Sequence, residues 1–310
     1  MVLTITLNPS IDISVLVPQL IPTDKLRCES YEKEVGGGGI NVSKGLHRLG
    51  IPAEALFFSG GHNGQFIESK LLAEKFIIHP LRLESETREN ITVTDQATQL
   101  EYRLVNKGNE INPGHEKMVL DKMDDLKIKP EFLVVSGSNP PGISKDFIQK
   151  IASWCLTHES KLVLDLPGDP LGEAFKYHPY LIKPNLNEMG HIAGRKKLSQ
   201  TEAIETAKIW IEKEYAEIIV ISMGDQGAII CNKNESHILA PPKVKSLSTV
   251  GAGDSMVAGL LYKLHYGSDL KDVLMMGIAC GTAATLSRGT KLFDRDQAMI
   301  LYERIKSGSD

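Results

Sequence analysis

The apolar positions along this chain follow two rhythms. In the first, short runs that are apolar throughout alternate with stretches of helical spacing. Residues 2–7 are β-branched and mostly apolar and stop at Asn8-Pro9, as a strand buried on both faces does. Residues 53–58, 133–138, 162–166, 180–183 and 218–222 read as further strands, with helices expected over about 145–157 and 200–215. Strands alternating with helices predict a parallel sheet, whose ligands bind beyond the carboxyl ends of the strands. Ser136, Asp165, Lys183 and Ser222 fall at those ends.

The second rhythm has a period of two. Ile13, Val15 and Val17 alternate with Ser14 and Leu16, a turn follows at residues 21–24, and a mixed strand is expected over about 26–35. A second hairpin is expected from segments 89–93 and 100–104 around Thr94-Asp95-Gln96. Such alternation suits a sheet with one wet face, and two hairpins that break an α/β rhythm are expected to pair with each other. The division that follows is one domain over residues 1–310, an α/β fold with a mainly parallel sheet flanked by helices. A small β lid is inserted at about 10–35 and 88–105. Gly60 to Gly64 reads as a loop before a helix bearing Phe66, Ile67, Leu71 and Leu72, residues 228–231 and 237–239 as an edge meander, and residues about 270–286 and 296–305 as the last helices.

Two glycine-rich stretches stand at expected helix starts. Gly36-Gly37-Gly38-Gly39 precedes Asn41 and the spacing Val42, Leu46, Leu49. Four consecutive glycines are costly in chain entropy, and they mark either a hinge or a place where a ligand touches the main chain. Gly251-Ala252-Gly253-Asp254 precedes Val257, Leu260, Leu261 and Leu264, so Asp254 sits in a helical first turn. Bare N–H groups and the helix dipole make an anion site there. Asp254 either complements the dipole or acts as a general base toward a hydroxyl attacking a phosphorus held over the glycines. No G-x-G-x-x-G runs through the first stretch and no G-x-x-x-x-G-K-[ST] occurs anywhere, which excludes the Rossmann fingerprint and the P-loop.

Composition is that of an ordinary globular protein, and a formal net charge of −4 gives no reason to expect nucleic acid or an anionic membrane as partner. Positive charge for an anionic substrate must therefore be local. Lys25, Arg27, Arg88 and Arg103, all in the expected hairpins, are candidates, although scattered basic residues also suit a solvated face. Four widely spaced cysteines with no CxxC pattern read as thiols of a reducing cytosol. The N-terminus lacks the pattern of a signal peptide, and no apolar run reaches membrane-spanning length.

The glycines before Asn41, Lys183-Pro184-Asn185-x-x-Glu188 and Gly251-Ala252-Gly253-Asp254 together resemble the PfkB family of sugar kinases, of ribokinase-like fold, from Thr6 to the end of the chain. Leu7-Asn8-Pro9-Ser10-x-Asp12, Lys25-Leu26-Arg27 and Ser136-Gly137-Ser138-x-Pro140-Pro141-Gly142 look most like its sugar-phosphate branch, and the segment 244–257 looks closest to the minor-type 6-phosphofructokinases. The resemblance implies ATP-dependent phosphorylation of fructose 6-phosphate, with tagatose-6-phosphate kinase and 1-phosphofructokinase as alternatives and a non-catalytic sugar-phosphate sensor as an alternative of another class. It implies Asp254 as base and the N–H groups of Gly251, Ala252 and Gly253 as anion hole. Asp12, Gly38, Gly39 and Asn41 would hold sugar hydroxyls, and Arg88, Lys25, Arg27, Arg103 and Ser138 the sugar-phosphate end. Lys183, Asn185, Ser222, Gly224, Gly227, Ala284 and Ser287 would serve ATP, and Glu188 with Asn185 would position Mg²⁺. A K⁺ site would involve Ser248, Val250, Ala284, Ser287 and Gly289. Close relatives can carry Asn and Arg where this chain has Ser287 and Lys291. A cytoplasmic homodimer joined through the lid completes what the resemblance implies.

Overall fold

A computed structural model describes residues 1–308 apart from Lys197, Arg288 and Thr290. Its frame is a nine-stranded sheet in the order β13-β12-β11-β10-β9-β8-β1-β4-β5. The parallel strands are β1 (Val2–Thr6), β4 (Ala53–Gly60), β5 (Ile77–Leu83), β8 (Phe132–Ser136), β9 (Lys161–Asp165), β10 (Leu181–Ile182) and β11 (Ile218–Ser222). β12 (Ala228–Cys231) and β13 (Ser236–Leu239) close one edge as the antiparallel meander expected from the sequence. The central strands are apolar throughout because both faces are covered. Along β8, Phe132 and Val134 face one core while Leu133 and Val135 face the other. The first core is roofed by α1 (Gly38–Arg48), α8 (Ala252–His265), α9 (Leu270–Ala284) and α10 (Arg295–Ser307), the second by α3 (Pro113–Asp124), α4 (Phe147–Thr157) and α7 (Gln200–Glu212).

β2 (Ser10–Val17), β3 (Ser30–Gly36), β6 (Arg88–Asp95) and β7 (Leu100–Leu104) form a separate sheet in the order β3-β2-β6-β7. The two hairpins pair through β2 and β6, and that junction is parallel. The register sorts this sheet into two faces, since residues directly opposite share a side. Ser10, Asp12 and Ser14 stand opposite Arg88, Asn90 and Thr92 on one face, with Glu34, Glu32 and Arg103 beside them. Ile11, Ile13, Val15 and Ile91 lie on the other, and Ile11, Ile13 and Val35 pack against Ala55, Phe57, Ile67 and Leu71.

Several elements differ from the sequence reading. The helix after β4 starts directly at Gly61, as α2 (Gly61–Ala73), with no loop before it. Its first turn is satisfied from outside, Asn63 N donating to Glu86 Oε1, so no local cap residue was needed to begin it. β3 begins at Ser30, leaving Lys25 and Arg27 in an exposed connection without regular structure. Three helices had no strong period to announce them: α3, α5 (Asp169–Glu173) and α6 (Leu186–Ile192). α3 and α6 begin instead on capping boxes, at Asn112 and at Asn185.

Candidate active site

β1 lies between β4 and β8, so successive connections leave it in opposite directions, and the crevice between the ends of β1 and β8 is a topological switch point. The first turn of α1 fills that crevice. A Cβ on Gly38 would stand 2.5 Å from Ser136 Oγ and 2.6 Å from Gly137 N, and one on Gly39 would stand 2.6 Å from Ile5 O. Gly38 and Gly39 are therefore helical residues whose lack of a side chain lets α1 sit on the strand ends. Ile40 N donates to Thr6 Oγ1 at 2.8 Å and fixes the seat.

α8 starts beside it. Gly251 has φ +74°, a left-handed conformation that leaves the helix without a side-chain cap. Ala252 N donates to Thr249 O at 3.3 Å and Ser255 N to Gly251 O at 2.9 Å. Ala252 therefore departs from the expected set of free donors, because its N–H is spent within the turn. Among the described residues no protein group accepts from the N–H of Gly251, Gly253 or Asp254.

Asp254 projects from this turn toward α1, where Asn41 Nδ2 donates to its Oδ2 at 2.8 Å. Asn41 Oδ1 is buried with no partner. Burial, and then the negative charge of Asp165, pushes the Asp254 carboxyl up to about 7, against the pull of the Asn41 hydrogen bond and the Lys183 ammonium. Lys183, buried at the end of β10, pairs with Asp165 at 2.9 Å, and Ser136 Oγ donates to the other Asp165 oxygen at 3.2 Å. Desolvation acts to lower the Lys183 pKa, but Asp165 outweighs it and the ammonium is held above its ordinary value. Lys183 Nζ lies 3.5 Å from the place a Gly253 Cβ would take, directly below the helix start. The region thus combines bare N–H donors, a buried cation and a carboxylate poised near neutrality.

On the lid side, Asp12 Oδ1 accepts from Ser10 Oγ at 2.8 Å and from Asn90 Nδ2 at 2.9 Å, while Oδ2 lies against the Gly36 backbone. Arg88 donates through Nη1 to Asn106 O at 2.6 Å and through Nη2 to Asn8 O at 2.9 Å and Ser138 Oγ at 3.4 Å. Asn8 and Ser10, which the sequence reading quoted in the Leu7–Asp12 stretch without a role, are polar partners here, and Asn90 is one that it missed. Lys25 and Arg27 are exposed, in a connection without regular structure. Arg103 shares the polar face but sits exposed on the outer strand β7.

Asn185 also departs from expectation as a ligand. Its Oδ1 already accepts from Asn187 N and Glu188 N, both at 2.9 Å, as the cap of α6. Glu188 Oε2 in turn accepts from Asn185 N at 2.8 Å. Asn185 bridges Ser222 at the end of β11, and Gly224 and Gly227 turn the chain immediately beyond. Ser248 is joined to the end of α9, its N–H and that of Leu247 both reaching Thr285 O, and Val250 N donates to Ser248 Oγ at 3.2 Å. Gly289, two residues beyond Ser287, stands against Ser14 and Glu34 of the four-stranded sheet. No cluster of three or more His, Cys, Asp or Glu suited to a resident metal occurs among the described residues.

The model of pfkB family carbohydrate kinases matches residues 5–296. The chain is 32% identical over 302 residues to the ATP-dependent 6-phosphofructokinase isozyme 2 of Mycobacterium tuberculosis, covering 97% of this chain and 89% of that one. It is 33% identical over 307 residues to a 1-phosphofructokinase of Borreliella burgdorferi, with 99% and 98% covered. Among solved structures, Escherichia coli phosphofructokinase-2 in complex with substrates and products superposes with a TM-score of 0.93 at 32% identity, covering 98% of this chain and 99% of that one. The same Escherichia coli protein is known in complex with potassium and in a tetrameric inhibited form. With a family match across nearly its whole length, the chain belongs to the pfkB family of carbohydrate kinases, phosphotransferases that act on a sugar hydroxyl with ATP and a divalent metal.

Proposed function

We propose that this enzyme transfers the γ-phosphoryl of ATP to the C1 hydroxyl of fructose 6-phosphate, with Asp254 as the base. The observation that carries the reading is the Asn41–Asp254 contact at an uncapped helix start, with Lys183 beneath and the Arg88 cluster at the far end of the same cleft. A carboxyl near pH 7 is matched to taking a proton from an alcohol in the transition state. Asn41 engages Oδ2, leaving Oδ1 for the attacking hydroxyl. Its own orphan Oδ1 would accept from another hydroxyl of the sugar, removing an unmet acceptor that costs about 1–3 kcal/mol when buried. The N–H groups of Gly251 and Gly253 would take charge developing on the transferred phosphoryl, each donor contributing about 3 kcal/mol.

Mg²⁺ fits the donor set only in part. Glu188 Oε1 would hold it, through water, whereas Asn185 is spent as a cap and would act by fixing Glu188. The metal, when bound, neutralises nucleotide phosphate charge. Ser248, Val250, Ala284 and Ser287 would surround K⁺, as supported by the tie between residues 247–248 and Thr285 and by the potassium complex of the Escherichia coli relative. Gly289, two residues beyond Ser287, would complete that group from the side that faces Ser14 and Glu34.

The four-stranded sheet acts as the lid over the sugar. The outer half of its apolar face, with Tyr31, Leu100, Tyr102 and Leu104 all exposed, is where a second copy would dock. A cytoplasmic setting accords with four cysteines that remain free thiols.

One panel tests the assignment: kcat/KM for fructose 6-phosphate, fructose 1-phosphate, tagatose 6-phosphate and unphosphorylated fructose, with the product's second phosphate located by NMR. Preference for fructose 6-phosphate and a 1,6-bisphosphate product are expected. Preference for fructose 1-phosphate would replace the reading with that of the Borreliella relative, and equal rates on fructose would remove the phosphate end of the site.

A further inference from the structure

The lid carries a cation at the Arg88 end that no motif marks. A sugar phosphate brings a charge of about −1.5 to −2 at neutral pH, and Arg88 is a cation that hydrogen bonds hold fixed at that end. Arg88 has already directed Nη1 to Asn106 O and Nη2 to Asn8 O and Ser138 Oγ, and its Nε is buried without a partner. Arg103 stands opposite Thr92, four residues along β6 and so about 13 Å from Arg88.

β6 and β7 pair antiparallel with Ile91 opposite Leu104. The ladder ends at that pair, and residues 105–107 run on beside the start of β6 without regular pairing. The two segments stay together that far. Asn106 N donates to Asn90 Oδ1 at 3.3 Å, and Lys107 O accepts from Asn8 Nδ2 at 2.9 Å. The same Asn8 amide donates to Ser138 Oγ at 3.3 Å, and Ser138 Oγ is the group Arg88 Nη2 reaches. Gly108, at φ +91°, closes the loop on Asn8, where a Cβ would stand 2.1 Å from Oδ1. The backbone of Lys107 is therefore held at the mouth of the Arg88 cluster, while its side chain is exposed and pairs with no carboxylate among the described residues. Two cations brought close together repel. An anion between them relieves that repulsion.

We propose that Lys107 is a ligand of the phosphate already on the sugar, forming with Arg88 a two-cation clamp that separates phosphorylated from free sugars. This rests on the sugar-phosphate reading above. Lys serves here as a point charge and Arg as a fixed fork.

The test compares wild type with Lys107→Gln and Lys107→Arg on fructose 6-phosphate, fructose and ATP. Lys107→Gln is expected to raise KM for fructose 6-phosphate about ten-fold, with kcat within about two-fold, and to leave KM for ATP and kcat/KM for fructose unchanged. Lys107→Arg recovers most of the loss. An unchanged KM for fructose 6-phosphate in Lys107→Gln, or a fall in kcat without a rise in KM, would overturn the assignment of Lys107 alone. A wild-type enzyme indifferent to the phosphate would instead overturn the sugar-phosphate reading, and this inference with it.

Discussion

The floor of the site and the sheet above it are built on opposite plans. On the floor, α1 and α8 start on buried strand ends, and every charge has a counter-charge or a fixed hydrogen bond: Asp254 with Asn41, Lys183 with Asp165, Asp165 with Ser136. The four-stranded sheet is half wet on both faces. Its polar face carries Asp12, Asn90, Arg88 and Arg103, and the outer part of its apolar face is uncovered. The floor is prepared for charge that develops during transfer, which favours preorganisation. On the proposed function the four-stranded sheet meets charge already on the substrate, and its polar groups Asp12, Arg88 and Asn90 are only half-buried.

The sharpest way to break this division is Asp254→Asn. Loss of the base should lower kcat by about 10³-fold while leaving ATP affinity, measured by calorimetry, nearly unchanged. Retained turnover would reduce Asp254 to a partner of the helix dipole. The same change has an effect on stability with a definite sign. Because burial holds the Asp254 pKa above its unfolded value, the contribution of this group is full below about pH 4 and lost as pH rises through about 7. Asp254→Asn should therefore unfold at a higher temperature than wild type at pH 8, a difference that vanishes below about pH 4.

A smaller effect is expected on the lid. Replacing Tyr102 and Leu104 by Asp should shift sedimentation from dimer to monomer, change the melting temperature of the chain by only a few degrees, and raise KM for the sugar more than KM for ATP. An unaltered sedimentation coefficient would move the dimer contact elsewhere. The smallest effect belongs to the floor again. In wild type, kcat/KM should rise with pH through about 7. Asp165→Asn removes the negative neighbour that helps hold Asp254 up and leaves Lys183 unopposed, so the midpoint should move to lower pH. A midpoint that stays put would show burial alone to set it.

The floor was legible in the sequence because its chemistry is local. Glycine runs at helix starts, Asp254 three residues into one of them and polar residues at strand ends all sit within a few positions of one another. The central strands were legible for a related reason, since burial on both faces leaves no alternative to apolar runs. What remained hidden depends on distant pairings. The Asn41–Asp254 bond spans 213 residues, and Asn8 meets Ser138 across 130. Lys25, Arg27 and Arg88 looked equivalent because sequence alone does not tell that Arg88 stands half-buried on a strand and the other two on an exposed connection. Asn185 and Ala252 show a further limit. Both lie at the site, but local hydrogen bonds had already committed the atoms that were to serve a ligand.

The parallel junction of β2 with β6 also governs how the chain assembles. Between those strands run α1, β4, α2 and β5, which belong to the main body. The lid therefore joins segments about 78 positions apart and has no hairpin route to its central pairing. It can close only after the βαβ unit it encloses has brought its ends together, so lid formation should be a late event in folding. For the same reason the lid is not a cassette. Neither hairpin holds the whole sugar end of the cleft, and excising the lid would require cutting the body that the lid serves.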